Sequence, residues 1–182
     1  MKKNELVWIQ KGYFLFGRKG LYGLNVELIA SELNKSKSSF YHYFGDLDHF
    51  IDKLMEYHRS RAKQIAEKGR NCQNMDPDVI LLMIETKDDL LFNKQLRLNG
   101  QEPRLNACFE ETFNTISDSF MAKWNSTIGM NQKPMLGKVI FNLLVDNFFL
   151  QVNEHNLDYP WFQGYIQQLR SIIQQIQMAY NQ

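Results

Sequence analysis

The segment NVELIASELNKSKSSFYHYF, residues 25–44, decides the fold. Asn25 has the short polar side chain of a helix N-cap, and Val26, Ile29, Ala30 and Leu33 follow at the spacing of one buried helical face, with Leu28 beside them. Ser36 is the next cap. Only Asn34 and Lys35 separate the first helix from that cap, so the chain must turn sharply. Asn is the non-glycine residue that best tolerates the left-handed conformation such a turn requires. The pattern predicts a helix, a tight turn and a second helix. In the second helix Phe40 and Phe44, four residues apart, form a buried anchor, and the remaining residues are a cation, small hydroxyls and polar-tipped aromatics.

Such a helix suits a major groove entered N-terminus first. Its dipole and free amides at Ser36 favour phosphate, and small residues near its start allow close approach. Lys37 is the residue here equipped for a strong guanine contact, while Ser38 and Ser39 suit several base edges. Tyr41, His42 and Tyr43 bring polar tips to the groove walls.

Outward from this segment the chain keeps a helical texture. Each of the four prolines, Pro77, Pro103, Pro134 and Pro160, stands where a helix would begin, a position at which proline sacrifices no hydrogen bond. Phe109, Phe113, Ile116, Phe120 and Trp124 recur at steps of four, three, four and four, which predicts one long helix. Ile166, Leu169, Ile173, Ile176 and Tyr180 repeat the pattern at the end of the chain. Asn99-Gly100 and the polar stretch Ser126 to Gln132 read as stops. No alternating run argues for a strand. The first 50 residues differ, with short apolar clusters punctuated by Gly17, Gly20, Gly23, Asn34 and Gly45. The expectation is an all-α protein: a three-helix helix-turn-helix domain over residues 1–50, followed by a helical bundle over 51–182.

Composition narrows the function classes. With 182 residues, 44% hydrophobic and 23% charged, the chain is neither disordered nor a disulfide scaffold. Its 21 Lys and Arg nearly balance 20 Asp and Glu, yet residues 1–70 hold 13 basic against 8 acidic and residues 71–182 hold 8 against 12. A polyanion partner is therefore expected for the front segment. Lys53, Arg59, Arg61, Lys63, Lys68 and Arg70 lie farther along and read as solvated surface. Cys72 and Cys108 match no metal or redox spacing and suit a reducing cytoplasm. The N-terminus lacks the apolar core of a signal peptide, and Val139 to Leu150, interrupted by Asn142, Asp146 and Asn147, is too short to span a membrane. No metal set, phosphate loop or nucleophile elbow is present in the sequence, so neither metal, cofactor nor enzymatic activity is expected.

From Phe16 through Phe50 the chain resembles, without a gap, the DNA-binding domain of the tetracycline-repressor (TetR) family of bacterial transcription regulators. The matching frame, written with the preceding Leu15, is L-F-G-R-K-G-L-Y-G-L-N-V-E-L-I-A-S-E-L-N-K-S-K-S-S-F-Y-H-Y-F-G-D-L-D-H-F. The resemblance implies a cytoplasmic homodimer on double-stranded DNA of a pseudo-palindromic operator, a repressor released when a small-molecule effector binds the C-terminal helices. On the family frame, Leu24 and Asn25 replace a threonine and a hydroxyl residue, so Asn25 takes over a phosphate contact. The turn's usual Gly-Val is Asn34-Lys35, which places Lys35 within reach of phosphate. A lysine common near the start of the fourth helix is Leu47 here, with Asp46 as the helix cap, and that contact is lost. DNA contacts are thus expected from Asn25, Lys35, Ser36, Lys37, Ser38, Ser39, Tyr41, His42 and Tyr43.

An effector cavity should show as polar residues inside apolar helices. Glu85, Lys87, Gln95, Arg97, Cys108, Thr112, Asp146 and Asn147 are the candidates. Phe141, Leu144, Val145, Phe148 and Phe149 on one closing helix, with Leu169, Ile172, Ile173, Ile176 and Tyr180 on the other, offer the apolar area for a two-fold four-helix interface. The competing reading is a helical ligand-binding or protein-interaction module whose DNA-reading face has degenerated.

Overall fold

The computed structural model describes residues 3–180, among which ten α-helices and no strand occur. They are α1 (Lys3–Lys19), α2 (Val26–Glu32), α3 (Lys37–Phe44), α4 (Leu47–Asn71), α5 (Ile80–Glu85), α6 (Lys87–Leu98), α7 (Pro103–Asp118), α8 (Met121–Thr127), α9 (Pro134–Gln151) and α10 (Tyr159–Tyr180). The all-α expectation holds, and α2 and α3 fall where the caps placed them. Pro103 and Pro134 open α7 and α9, and Pro160 is the second residue of α10. Pro77 lies in a wide turn, Met75–Val79, that runs into α5.

The stripe from Phe109 to Trp124 is not one helix. It breaks after Asp118, where Ser119 and Phe120 N–H groups bond three residues back (both 3.1 Å) and the Ser119 hydroxyl donates to Ile116 C=O at 2.5 Å. A second break separates α5 from α6 at Thr86, whose hydroxyl donates to Leu82 C=O at 2.7 Å. Hydroxyls that bond back onto the preceding turn compete with helix continuation. Periodicity does not register such a break, because the apolar positions on either side keep their spacing. The linker before α9 is likewise shorter than its polar composition suggests, since α8 runs through Thr127.

Packing gathers the chain into two units. The first runs to Gln64 and takes up again over Asp88–Asn114; the second comprises Ile65–Lys87 and the chain from Thr115 onward. In the first unit Trp8, Ile9, Phe16, Ile29, Phe40, Phe50 and Leu54 are almost wholly buried. Helix α1 lies close on its neighbours: a Cβ added at Gly12 would come within 2.5 Å of the Phe50 ring, and one at Gly17 within 3.3 Å of Leu91. In the second unit Trp124 Nε1 donates to Gly137 C=O (2.9 Å), and Asn125 packs so tightly against Gly137 that no larger residue fits there. Lys123 Nζ donates to the carbonyls of Gly69, Arg70 and Ser119 at 3.2–3.4 Å, closing the C-terminal ends of α4 and α7.

Candidate nucleic-acid interface

The helix-turn-helix is built by three caps and one left-handed residue. Asn25 Oδ1 accepts from Leu28 N–H (3.0 Å), Ser36 Oγ from Ser39 N–H (3.3 Å) and Asp46 Oδ1 from His49 N–H (2.7 Å). Each such cap stabilises by about 1 kcal/mol. Asn34 takes φ 52°, as its place in the turn requires, and Gly45 ends α3 at φ 72°, where a side chain would be strained. The direction in which α3 faces follows from its aromatic anchor. Phe40 is 0% and Phe44 3% exposed, and their rings stand 5.0 and 4.8 Å from that of Phe50, with Trp8 a further 5.5 Å neighbour of Phe40.

With that face turned inward, Lys37, Ser38, Tyr41 and His42 are exposed together, and Ser39 and Tyr43 are half-buried at the edges of the same surface. Asn25, Lys35 and Ser36 are exposed as well. Lys35 has no ion-pair partner among the described residues, but Lys37 does: its Nζ lies 2.9 Å from Glu27 Oε1 on the first turn of α2. This pair raises the Lys37 pKa and lowers that of Glu27, chiefly through the hydrogen bond between them. The sequence reading passed over Glu27, because acidic residues in a helix's first turn are commonplace. Leu47 is exposed and lies immediately after Asp46, the cap of α4.

A second polar arrangement in the same unit is buried. The Tyr13 hydroxyl donates to Asp89 Oδ1 (2.8 Å) and lies 2.6 Å from His58 Nδ1. Arg61 donates to both Asp89 oxygens (3.0 and 2.8 Å), so it is not the solvated side chain expected. His58 Nε2 lies 3.2 Å from Asn93 Oδ1, to which the Thr112 hydroxyl also approaches at 3.2 Å. Burial pushes His58 down to about 4, against the opposing pull of Asn93 and Asp89, and burial together with Asp89 raises Tyr13 well above its ordinary value. Of these six residues only Thr112 stood out in the sequence. The others sit at unremarkable helical positions, and only packing brings them together.

The remaining effector candidates divide between the two units. In the first, Cys108 is fully buried, with its thiol pushed up to about 11 by desolvation. Arg97 stands 5.5 Å from the Phe109 ring centroid, and Gln95 lies beside Gly20. In the second, Glu85 is exposed and paired with Lys68, and Lys87 and Asp146 are exposed. Asn147, also exposed, accepts from the Tyr165 hydroxyl at 3.2 Å.

The apolar residues assigned to a two-fold interface mostly serve the chain's own core. Phe141, Leu144 and Phe148 pack against Tyr165, Leu169 and Ile173, and Val145 and Phe149 are buried. Ile172 and Ile176 are exposed, whereas the side chain of Tyr180 lies outside the described residues. The apolar surface left uncovered on α9 is a different stripe: Met135, Leu136, Val139, Leu143 and Leu150. Helical spacing places both stripes on one amphipathic element, and the sequence alone could not say which faces inward.

Fold and site together define an all-helical protein that presents a capped helix-turn-helix near its N-terminus. Residues 9–53 match the sequence profile of the bacterial regulatory proteins of the tetR family. Two crystal structures share the architecture over nearly the whole chain. One is a transcriptional regulator (TerR/AcrR family) from Aquifex aeolicus VF5, at 17% identity and TM-score 0.61, covering 94% of this chain and 98% of that one. The other is a Saccharomonospora viridis protein assigned as a transcriptional regulator, in complex with choline, at 13% identity and TM-score 0.61, covering 96% and 95%. No curated protein matches the sequence. The chain thus has the fold of a DNA-binding transcription regulator, and among the described residues no helix is long and apolar enough to cross a membrane.

Proposed function

We propose that the protein is a homodimeric transcription regulator that reads a pseudo-palindromic operator with α3 of each protomer and leaves it when a small molecule binds its helical body. The observation that carries this reading is the surface of α3. Its aromatic anchor is buried, while Lys37, Ser38, Tyr41 and His42 stand exposed on a helix whose first turn is capped by Ser36. Asn25, Lys35 and Ser36 flank that surface at the positions from which phosphates would be held.

Residues 1–50 form the DNA-binding part and 51–182 the dimerisation and effector part. The exposed stripe of α9, together with the exposed Ile172 and Ile176 of α10, supports a second copy of the chain as cover, since large exposed apolar side chains on a helix face mark an interface. Release by an effector is supported by the buried network, because Tyr13 of α1 is hydrogen-bonded to residues of α4 and α6. A molecule that displaced Asp89 or Asn93 would disturb the seat of α1. The Saccharomonospora viridis neighbour carries choline, which favours a small-molecule effector without choosing its class for this chain.

The test is fluorescence anisotropy of the full chain on duplexes enriched from a random pool and on scrambled duplexes, across a salt series. Palindromic enrichment with a specificity ratio above roughly a thousandfold is expected. Binding that is equal on all sequences and lost uniformly with salt would reduce the protein to a non-specific polycation. Sedimentation of Leu143→Glu against the native chain tests the dimer; a native monomer at micromolar concentration would overturn it.

A further inference from the structure

We infer that Glu27 is a specificity-determining positioning residue that acts through Lys37, withholding that lysine from phosphates so that it is delivered to base edges. This rests on the reading of α3 as the groove helix. Lys37 is the first residue of α3, and its ammonium is held 2.9 Å from the Glu27 carboxylate on α2. Both side chains are more than half exposed, so the pair stands on the surface that would face DNA and contributes little to the fold itself.

The charge inventory around it is sparse. Residues 25–46 contain Lys35 and Lys37 against Glu27, Glu32 and Asp46. Glu32 is engaged by Lys11 at 3.3 Å, and Asp46 caps α4, so Glu27 is the carboxylate committed to a cation of the reading helix. An anion placed there opposes the polyanion. It cancels Lys37 as a point charge, and each cancelled charge removes one counterion-releasing contact from non-specific binding. An ammonium, however, has three donors. Lys37 can keep Glu27 as one partner and direct the others at guanine O6 and N7, an acceptor pair that the correct base presents and the phosphate backbone does not. Glu27 therefore costs non-specific affinity and fixes where the ammonium points. This is discrimination by suppressing the wrong complex.

The experiment compares native protein, Glu27→Gln, Lys37→Ala and the double variant on a duplex enriched from a random pool and on a scrambled duplex, by anisotropy from low to high salt. Glu27→Gln is expected to tighten the scrambled duplex by about fivefold to tenfold and to steepen its log–log salt dependence by about 1 per bound protomer. It should leave the enriched duplex nearly unchanged, so the specificity ratio falls. In the Lys37→Ala background the same change should have no effect. Unchanged affinity and slope in Glu27→Gln would overturn the inference. So would a gain that persists without Lys37, which would be plain charge repulsion, or a loss on the enriched duplex that persists in the Lys37→Ala background, which would make Glu27 itself a base contact. If the native protein enriches no duplex at all, the groove-helix reading fails and this inference with it, a result distinguishable from the others because it appears before any variant is made.

Discussion

The first unit holds two charge arrangements of opposite character. Lys37 and Glu27 meet in water at the protein's surface, whereas Asp89, Tyr13 and His58 meet in its interior, with Asp89 3% and His58 0% exposed and the half-buried Arg61 closing on Asp89. Their separations are alike, at 2.9 Å for the outer pair and 2.8–3.0 Å for the Asp89–Arg61 fork. Distance is therefore a poor guide to what each contributes. In water an ion pair exchanges hydration for attraction at nearly even terms, so the outer pair is free to change partners. In the interior a group left without its partner has no water to turn to, so the inner arrangement holds its helices in place. The outer pair suits recognition, and the inner one suits the transmission of a disturbance from one helix to the next.

Four tests bear on that contrast. Asp89→Ala should have the largest effect, lowering stability by about 3 kcal/mol in urea titrations, because it leaves the Tyr13 hydroxyl and the half-buried Arg61 without their acceptor. A loss below 1 kcal/mol would mean that water reaches the network. Next comes pH. With His58 held near 4 in the fold and near 6.5 when unfolded, only the unfolded chain takes up a proton between those values, so stability falls as pH falls. Between pH 7 and pH 5 the loss is about 2 kcal/mol, and it should vanish in His58→Gln. A flat or rising profile would show instead that the ring is charged in the fold, with both nitrogens donating, to Tyr13 and Asn93.

Lys37→Ala should weaken binding to an enriched duplex by roughly 1 to 3 kcal/mol and relax preference at one base pair, whereas Tyr43→Ala should weaken all duplexes alike. Equal, sequence-independent losses for both would make Lys37 a phosphate contact. The smallest effect is expected for Glu27→Gln on stability itself, within about 0.5 kcal/mol by thermal melting, as befits an exposed pair. A larger loss would give the outer pair a structural role and erase the distinction between the two.

The helix-turn-helix was legible in the sequence because its determinants are local. A cap acts on an amide three residues away, a left-handed turn needs a residue that tolerates it, and an i, i+4 aromatic pair defines one face. The same logic placed helix starts at Pro103 and Pro134, where a missing N–H does no harm. What sequence could not supply was anything that depends on a second segment. The breaks at Thr86 and Ser119 are the local exception: they rest on which nearby carbonyl a hydroxyl chooses, a choice that apolar spacing does not register. The inward face of α9 depends on what α10 brings against it. The pairing of Lys37 with Glu27 spans ten residues, and Tyr13 meets Asp89 across 76. Local rules alone set the helical class and the form of the helix-turn-helix, since both are decided within a few residues along the chain. Tertiary structure alone decided which charges are dry and which are wet, because burial is a property of neighbours that the chain supplies from afar.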